Sequence, residues 1–242
     1  MISALLMTTA VAAPSLDTGA GTARTLGQAD GRFAFGVFRP WSLALGERTE
    51  LSTTGLIGTF IAPRLDVKQQ LARTEDSALA LVAGVAVPMT SLRLSKGWLY
   101  PDDAVIPFSA IGKLGILASV ELDRLRVTAG ADLRVGATAG PSSLSRRDLF
   151  FFDWAMAPLQ EGPVTSTLKL QLDYHPTDRW LVTAELATQL VGTRPQYLGR
   201  VFGLWGFSGW GALGAGVFTN HMPRDLGYES YFIPGADLQF RL

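Results

Sequence analysis

The sequence has no cysteine, only two histidines and few charges, and each shortage narrows what the protein can be. Without cysteine there are no disulfides and no thiolate chemistry, and two histidines nearly exclude a histidine-rich metal site. Lys plus Arg and Asp plus Glu are both 21, so the formal net charge is zero. That balance argues against a nucleic-acid-binding protein, which normally has a basic excess. No phosphate-binding glycine loop and no cluster of metal ligands occurs in the sequence, so we expect no cofactor.

Apolar residues and glycine are what the chain has in plenty. Hydrophobic residues make up 48% of the 242 residues, charged residues only 17%, and 26 residues are glycine. The charged fraction is below the usual quarter. This composition fits a membrane-spanning β-barrel and also an ordinary enzyme, so the pattern along the chain has to separate them.

The stretch 164–191 shows the main pattern of the chain. From Leu168 to Tyr174, and again from Trp180 to Leu186, an apolar or aromatic residue recurs at every second position. The residues between the two runs, His175–Arg179, include proline and aspartate and signal a turn. A period of two places each set on one side of a strand, so the stretch predicts a hairpin with one apolar and one polar face. A soluble β-sandwich gives the same alternation.

The same hairpin pattern recurs along the rest of the chain. The uncharged run Val201–Phe218 is long enough for a membrane helix, but its six glycines disfavour one and Ser208-Gly209 signals a turn. The other predicted strands are Phe33–Leu45, Thr49–Ile61, Arg64–Leu71, Ala78–Leu92, Phe108–Glu121, Arg126–Thr138, Gly199–Phe207, Trp210–Thr219 and Tyr228–Leu242.

The connections between strands alternate between short and long. Membrane-spanning barrels have short periplasmic turns and longer outer loops, whereas globular all-β domains do not sort their loops in this way. The short connections are 46–48, 73–77, 122–125, 176–179 and 207–210, and the longer ones are 95–107, 139–163, 192–197 and 220–227, with the tight 62–64 as an exception.

The strand count is eleven from Phe33 to the end of the chain, whereas bacterial barrels usually have an even number. If the C-terminus and the short turns are periplasmic, one more upward strand is needed before Phe33, near Thr18–Gln28. We therefore predict an all-β, up-and-down transmembrane barrel of about twelve antiparallel strands, with ten as the alternative. Arg39-Pro40 interrupts the pattern of Phe33–Leu45 and leaves open a bulge or a turn between two short strands.

Charges of both signs lie on the faces opposite the apolar sets. Arg or Lys facing lipid at mid-membrane would cost about 2–4 kcal/mol each, whereas inward-facing charges can pair or meet water. In a soluble sandwich the same face would be the solvated outside. The residues predicted to line the lumen are Glu50, Asp66, Lys68, Lys113, Glu121, Arg126, Asp132, Arg134, Lys169, Asp173, Glu185 and Arg241, with Arg64 and Asp237 beside them.

Aromatic residues collect beside the turns, where the interfacial girdle of a membrane barrel lies. Tyr174 and Trp180 bracket one turn, and Trp205 and Trp210 bracket another. Core aromatics of a soluble domain need not collect there. The aromatics near the opposite strand ends are Trp98, Tyr100, Trp154, Tyr197, Tyr228 and Tyr231.

The N-terminus adds a hint about location. Ile2–Ala13 is a short apolar run that ends in small residues and precedes Pro14, as in a secretory signal peptide. No Lys or Arg precedes it, so an apolar opening strand is the other interpretation. With a signal peptide in residues 1–13, residues 14–242 form one barrel domain outside the cytoplasm.

The last residues carry a resemblance. Leu238, Phe240 and Leu242 alternate up to the end of the chain, which resembles the C-terminal strand of Gram-negative outer-membrane β-barrel proteins. Most of those end in Phe or Trp rather than Leu. Phe38–Leu71 is also similar to small outer-membrane barrels of unassigned function. The resemblance implies the bacterial outer membrane as location, with membrane lipid, lipopolysaccharide and, during insertion, the barrel assembly machinery as partners.

Candidate residues for catalysis or binding lie in the predicted outer loops. His221 is a candidate base for a hydrolase at the barrel rim, and a base needs a partner within hydrogen-bond distance. An ordinary loop histidine is the alternative, and His175 is predicted to be a turn residue. Further candidates are Ser142, Ser143, Ser145, Asp148, Asp153 and Asp225 for the hydrolase, Asp102-Asp103 for cations, Arg146-Arg147 for lipopolysaccharide phosphates, and the apolar Leu149–Trp154 for a plug or a lipid contact.

Three functions remain from the sequence. The first is a narrow, porin-like passive channel for small solutes with weak ion preference, which is not an enzyme. The second is a sealed structural or surface-interaction barrel without transport. The third is a rim hydrolase acting on lipid or peptide through His221.

Overall fold

A computed structural model shows the chain as one closed barrel of twelve antiparallel strands, each paired with its neighbours in the chain and the first with the last. The predicted all-β, up-and-down barrel of twelve strands is confirmed. Among the described residues, no helix has the length and hydropathy of a membrane span. The structure describes residues 21–25, 33–37, 40–55, 63–88, 93, 96–97, 101–143, 163–191, 194–207, 210–224 and 227–241.

The strands are short at the start of the barrel and long at its end. Their bounds are β1 Phe33–Gly36, β2 Trp41–Ala44, β3 Thr49–Thr53, β4 Arg64–Arg73, β5 Ser77–Ala86, β6 Phe108–Leu122, β7 Leu125–Ala139, β8 Val164–Thr177, β9 Trp180–Val191, β10 Arg194–Gly206, β11 Gly211–Arg224 and β12 Gly227–Arg241.

The outer surface of the barrel is apolar and its interior is largely polar. In the β8–β9 hairpin, Leu168 is 61% exposed and Leu186 is 57% exposed, although both are large hydrophobic residues. Gln171 and Thr183, on the opposite face, are buried. This inversion of the usual soluble arrangement fits lipid outside and polar groups inside, as in membrane-spanning barrels.

The first two strands differ from the prediction, and this changes which segments make up the twelve strands. The predicted single strand Phe33–Leu45 is two strands, β1 and β2, and Phe33 and Ala34 of β1 pair with Leu43 and Ser42 of β2. The chain reverses before Trp41, where Pro40 cannot donate to a ladder. An upward strand is predicted near Thr18–Gln28. For the residues of this stretch that the structure describes, the prediction is wrong, because residues 21–25 form turns and bends rather than a strand.

Several strand ends also differ from the prediction. β3 ends at Thr53 rather than Ile61, and β5 ends at Ala86, short of Pro88, which has no N–H to continue the ladder. At the other extreme, β11 continues through the predicted loop to Arg224 and so includes His221. β8 continues to Thr177 with an irregular register after Tyr174, so His175 lies in this strand end and not in the turn.

The connections predicted to be short lie at one end of the barrel. The prediction that the other end has only longer connections is wrong, because β9–β10 and β11–β12 have two residues each between their strands instead of the predicted loops 192–197 and 220–227. The β6–β7 turn has only two residues between its strands, and the first, Asp123, has a φ of 53°, as tight hairpin turns require. Outward aromatics lie beside these turns: Trp180 and Trp205 are cross-strand neighbours, and Trp210 stacks on Phe240 with ring centroids 5.7 Å apart. This end of the barrel therefore has the interfacial girdle of a membrane protein.

Candidate functional site: the charged lumen

The barrel encloses a cavity of about 250 Å³ lined by polar and charged side chains from most of its strands. The inward set alternates with the outward leucines because neighbouring strand residues point to opposite faces. Among the described residues, its lining includes six basic side chains, Arg64, Lys68, Lys113, Arg134, Lys169 and Arg200, and four acidic ones, Glu50, Asp66, Asp132 and Glu185.

Three of these carboxylates form an ion pair with a basic side chain along the wall. Glu50 and Lys68 face each other across β3 and β4 with 3.0 Å between Oε2 and Nζ. Glu185 and Arg200 do the same across β9 and β10 at 2.6 Å. Asp132 lies 2.7 Å from the Nε of Arg134, two residues along β7. These pairs neutralise charge that a low-dielectric barrel wall would otherwise make costly.

The fourth carboxylate, Asp66, serves two cations. Its Oδ2 lies 2.9 Å from the Nε of Arg64 and 3.1 Å from the Nζ of Lys113. Asp66 and Lys113 are two strands apart, with Gly84 of β5 between them in the register. A Cβ at Gly84 would collide with the Asp66 carboxylate, so the missing side chain makes room for this ion pair. One carboxylate therefore balances two positive groups.

Lys169 differs from the other lumen cations. Its cross-strand neighbours are Gly130 and Ala187, which have no charge. The ammonium donates to the backbone carbonyl of Gly21 at 2.7 Å and to Oε1 of Gln171 at 3.4 Å. Within the part of the chain that the structure describes, no carboxylate lies within 4.0 Å of it. Together with the shared Asp66, this gives the cavity an excess of positive charge.

The remaining predicted charges lie nearer the strand ends. Arg126 donates to Glu121 across the β6–β7 hairpin at 2.8 Å. Asp173 accepts hydrogen bonds from Gln171 and Thr183, and it is 4% exposed. Asp237 is buried and accepts from the backbone N–H of Val37 at 2.8 Å and from Gln239. Arg241 ends β12, and its side chain is outside the described part.

Residues 21–25 also lie inside the barrel, which the sequence reasoning missed. Thr22, Ala23 and Thr25 are each at most 1% exposed. The backbone N–H of Ala23 donates to Oγ of Ser119 at 2.8 Å, and Arg24 forms an ion pair with Glu121 at 2.7 Å. The segment TGAGTARTLGQ has no apolar alternation, and small residues are the only hint that it can fit in a lumen.

A second group missed by the sequence reasoning is an apolar cluster on the inner wall. Leu181, Phe202, Leu204 and Ala212 are buried together, and Phe218 packs against them. Glycines of β11 and β12 create the space for these rings, because a Cβ at Gly214, Gly216 or Gly235 would meet Phe202, Leu204 or Phe218. This side of the lumen is therefore filled by side chains rather than by water.

His221, the candidate base, lies on the outward face near the long-loop end of β11. Its Nδ1 is 2.7 Å from Oγ of Ser230, its direct cross-strand neighbour on β12. Its ring is 6.1 Å from that of Tyr197 on β10. The prediction that His221 lies in an outer loop is wrong, and its described serine partner is Ser230 rather than a loop serine.

The other loop candidates are not brought together in the described structure. Asp102 and Asp103 are exposed, and Ser143 is hydrogen-bonded to the backbone of Val105 through both its N–H and its Oγ. Within the described ranges there is no group of three or more potential metal ligands. Ser145, Arg146, Arg147, Asp148, Leu149–Trp154 and Asp225 lie outside the described residues, as does the candidate signal peptide 1–13.

Comparisons with known proteins bear on the fold. No protein-family model matches the sequence, and no curated protein matches it. The chain is similar to a structure of the KdgM porin in complex with disordered oligogalacturonate, with a TM-score of 0.51 and 8% identity over 88% of this chain and 97% of that chain. A loop-deletion form of OmpT, an outer membrane protein of Vibrio cholerae, gives a TM-score of 0.46 and 8% identity over 83% of this chain and 61% of that chain. At this identity the likeness shows the fold alone, which is that of outer-membrane β-barrels.

Proposed function

We propose that this protein is a narrow passive channel for small polar solutes in the bacterial outer membrane. The observation that carries the proposal is the cavity of about 250 Å³ inside a closed barrel, with charged side chains on its wall. A barrel of this strand number has a narrow interior, and paired charges with water between them suit small hydrophilic solutes. The KdgM porin, to which this chain is similar in fold, is known in complex with disordered oligogalacturonate.

The charges in the cavity favour anions. Six basic and four acidic side chains among the described residues line it, and Lys169 has a backbone carbonyl rather than a carboxylate as its nearest partner. An anion passing about 7 Å from one ammonium in a water-like dielectric gains about 0.6 kcal/mol, which is roughly threefold in local concentration. The proposed solutes are therefore small anions, such as carboxylates or phosphates.

Ion selectivity tests this solute class. In planar bilayers with a KCl gradient, we expect the wild-type reversal potential to give a chloride-to-potassium permeability ratio above one. Lys169→Gln removes one lumen charge without leaving a carboxylate unpaired. We expect the ratio to fall by roughly ninefold, because the anion loses about threefold in local concentration and the cation gains about threefold. Lys96→Gln, which changes a Lys in the long β5–β6 connection, is the control and should leave it unchanged. A cation-selective wild type would contradict the preference for anions.

The sealed structural barrel is the alternative function, and the segment 21–25 and the Phe202 cluster both favour it because they fill part of the lumen. Single-channel recording separates the two functions. Discrete, solute-dependent current steps support a channel. Bilayers that contain folded protein and stay silent over a range of voltages would contradict the channel and favour the sealed barrel.

The rim hydrolase is a second candidate, and the contact between His221 and Ser230 is the observation that favours it. A histidine nitrogen 2.7 Å from a serine hydroxyl can take its proton as the hydroxyl attacks an ester carbonyl, and can give that proton to the leaving alcohol when the ester C–O bond breaks. Water then hydrolyses the acyl-serine and releases the fatty acid. Both residues lie on the outward face, where membrane lipid or lipopolysaccharide supplies acyl esters. Purified protein mixed with phospholipid vesicles should then release fatty acid, and both His221→Ala and Ser230→Ala should abolish the release.

The proposed partners follow from the outward surface and the last strand. The apolar outer belt requires membrane lipid, and lipopolysaccharide is the expected neighbour at the long-loop end. The alternation of Leu238 and Phe240 in β12 is the part that the barrel assembly machinery would recognise during insertion.

A further inference from the structure

The segment Gly21–Thr25 runs along the inner wall of the lumen towards the short-turn end. Gly21 accepts a hydrogen bond from Lys169 near the middle of β8, and Thr25 donates to the carbonyl of Glu47 in the β2–β3 turn at 2.5 Å. Between them, Arg24 reaches Glu121 and also donates to the carbonyl of Glu75 in the β4–β5 turn at 2.7 Å. The five residues thus connect the mid-lumen with two short turns.

We propose that Gly21–Thr25 is a removable plug that closes the lumen at its short-turn end, and that the inner wall around Ser119, Glu121 and Lys169 is its binding site. The inference rests on the proposed channel function, because a plug matters only if the lumen conducts. The bound segment is the closed state, and its release opens the path below the charged cavity.

The contacts of the segment are those of a bound peptide rather than of a wall strand. It takes no part in the strand ladder of the barrel. Apart from the backbone contacts with Glu47 and Glu75, wall side chains hold it: Ser119, Glu121, Lys169 and Gln70, whose amide donates to the carbonyl of Ala23 at 3.5 Å. Each of these groups can exchange its contact for water when the segment leaves, so release leaves the ladder of the barrel intact.

The wall is shaped for small plug residues. Ala23 is 0% exposed and packs in one cluster with Ala78 and Ala80 of β5, with Leu117 beside it. Larger residues at these wall positions would fill the space that the segment occupies. The less polar inner face of β5 therefore has a partner in the segment.

The backbone conformation of the bound segment requires glycine at position 21. Its φ of +76° lies in the left-handed region, and a Cβ there would be 2.5 Å from Oε1 of Gln171 and 3.1 Å from Nζ of Lys169. Any other residue is strained at this backbone conformation and displaces the side chains that hold the segment. A substitution at this position therefore tests the plug without replacing any residue of the barrel wall.

A disulfide that fixes the segment to the wall is the main experiment. The chain has no cysteine of its own, the backbone N of Ala23 is 2.8 Å from Oγ of Ser119, and the Ala23 side chain packs with Ala78, the cross-strand neighbour of Ser119. Ala23→Cys with Ser119→Cys therefore places two thiols in the same part of the lumen. We expect oxidation to reduce the open probability in planar bilayers by about tenfold or more, and reductant to restore it. A short bifunctional thiol reagent replaces the disulfide if the geometry does not allow one to form.

The matched control fixes the same wall position to the wall instead. Ser119 and Thr128 are cross-strand neighbours with hydroxyls 2.8 Å apart, so Ser119→Cys with Thr128→Cys gives a cross-link that leaves the segment unattached. We expect this variant to conduct equally when oxidised and reduced. Equal current from the oxidised and reduced forms of the Ala23→Cys, Ser119→Cys variant would overturn the plug and leave the channel standing. No current from any form would overturn the channel function itself.

Gly21→Ala gives the opposite change and so guards against a misfolded double variant. We expect it to raise the ratio of open to closed channels by about tenfold, because the bound conformation becomes strained while the released one does not. Unchanged opening in a folded Gly21→Ala barrel, with its heat-modifiable gel mobility retained, would count against the plug.

Discussion

Leu114→Arg destabilises the folded barrel in a lipid bilayer by about 2–4 kcal/mol, whereas Leu122→Arg on the same strand costs about 0–1 kcal/mol. Both leucines are outward residues of β6 with nearly equal exposure, 55% and 57%. Leu114 lies in the middle of the strand and Leu122 at its last residue. At about 3.4 Å per residue and a tilt of about 40°, they are separated by roughly 20 Å along the membrane normal. Only the charge at Leu114 must enter the centre of the hydrocarbon.

The measurement is reversible unfolding by denaturant in phosphatidylcholine vesicles, followed by tryptophan fluorescence. The pair of variants is its own control, because size, charge and strand are the same and only depth differs. In a soluble protein, an exposed leucine can be replaced by arginine within about 0.5 kcal/mol. Equal and small costs at both positions would therefore show that lipid does not cover the outer belt.

The long hairpins are the part of the fold that the sequence predicts well. In β8 and β9 most apolar residues of the alternating pattern are exposed and most polar residues between them are buried or half-buried, with Leu181 as a buried exception. The signal is strong because a strand that meets lipid on one face and water or charge on the other tolerates few exceptions. The turn after Leu122 is also predicted at its correct place. The alternating patterns of β6 and β7 leave room for only two residues between the strands.

The start of the barrel shows where such reasoning stops. β1 and β2 have four residues each, too few for a period of two to be distinguished from chance, so the turn at Pro40 could only be left open. The segment Gly21–Thr25 belongs to no ladder and has no period at all. Its contact with Lys169 joins residues 148 apart in sequence. Nothing in local spacing encodes such a contact, because the shape of the closed barrel creates it.

The ion pairs in the lumen are predicted in part. Alternation places Asp66 and Lys113 on the inner face, but they belong to β4 and β6, which are not neighbours. Their contact depends on the missing side chain of Gly84 between them. Glycines in a strand pattern signal a close approach of some kind, yet the sequence does not say which groups meet across them.

Asp66→Asn should destabilise the barrel by roughly 3 kcal/mol, the low end of the range for one partner removed from a buried ion pair. The reason is that Arg64 and Lys113 share this one carboxylate, and their side chains are only 30% and 17% exposed. Arg134 is the cross-strand neighbour of Lys113, so removal of Asp66 leaves three cations close together on one wall. Water in the cavity screens Arg64 best, which keeps the loss from being larger.

A double-mutant cycle with Lys113→Met isolates the interaction between the two residues. We expect the double variant to be more stable than Asp66→Asn alone by about 1–2 kcal/mol, because it removes the cation that lost its partner and replaces it with an apolar side chain of similar length. The measurement is the same denaturant unfolding in vesicles. Asp103→Asn, in an exposed loop, is the control and should be neutral within about 0.5 kcal/mol. Strictly additive effects of the two substitutions would mean that Lys113 does not depend on Asp66, and that the charges of the lumen are stabilised by water rather than by one another.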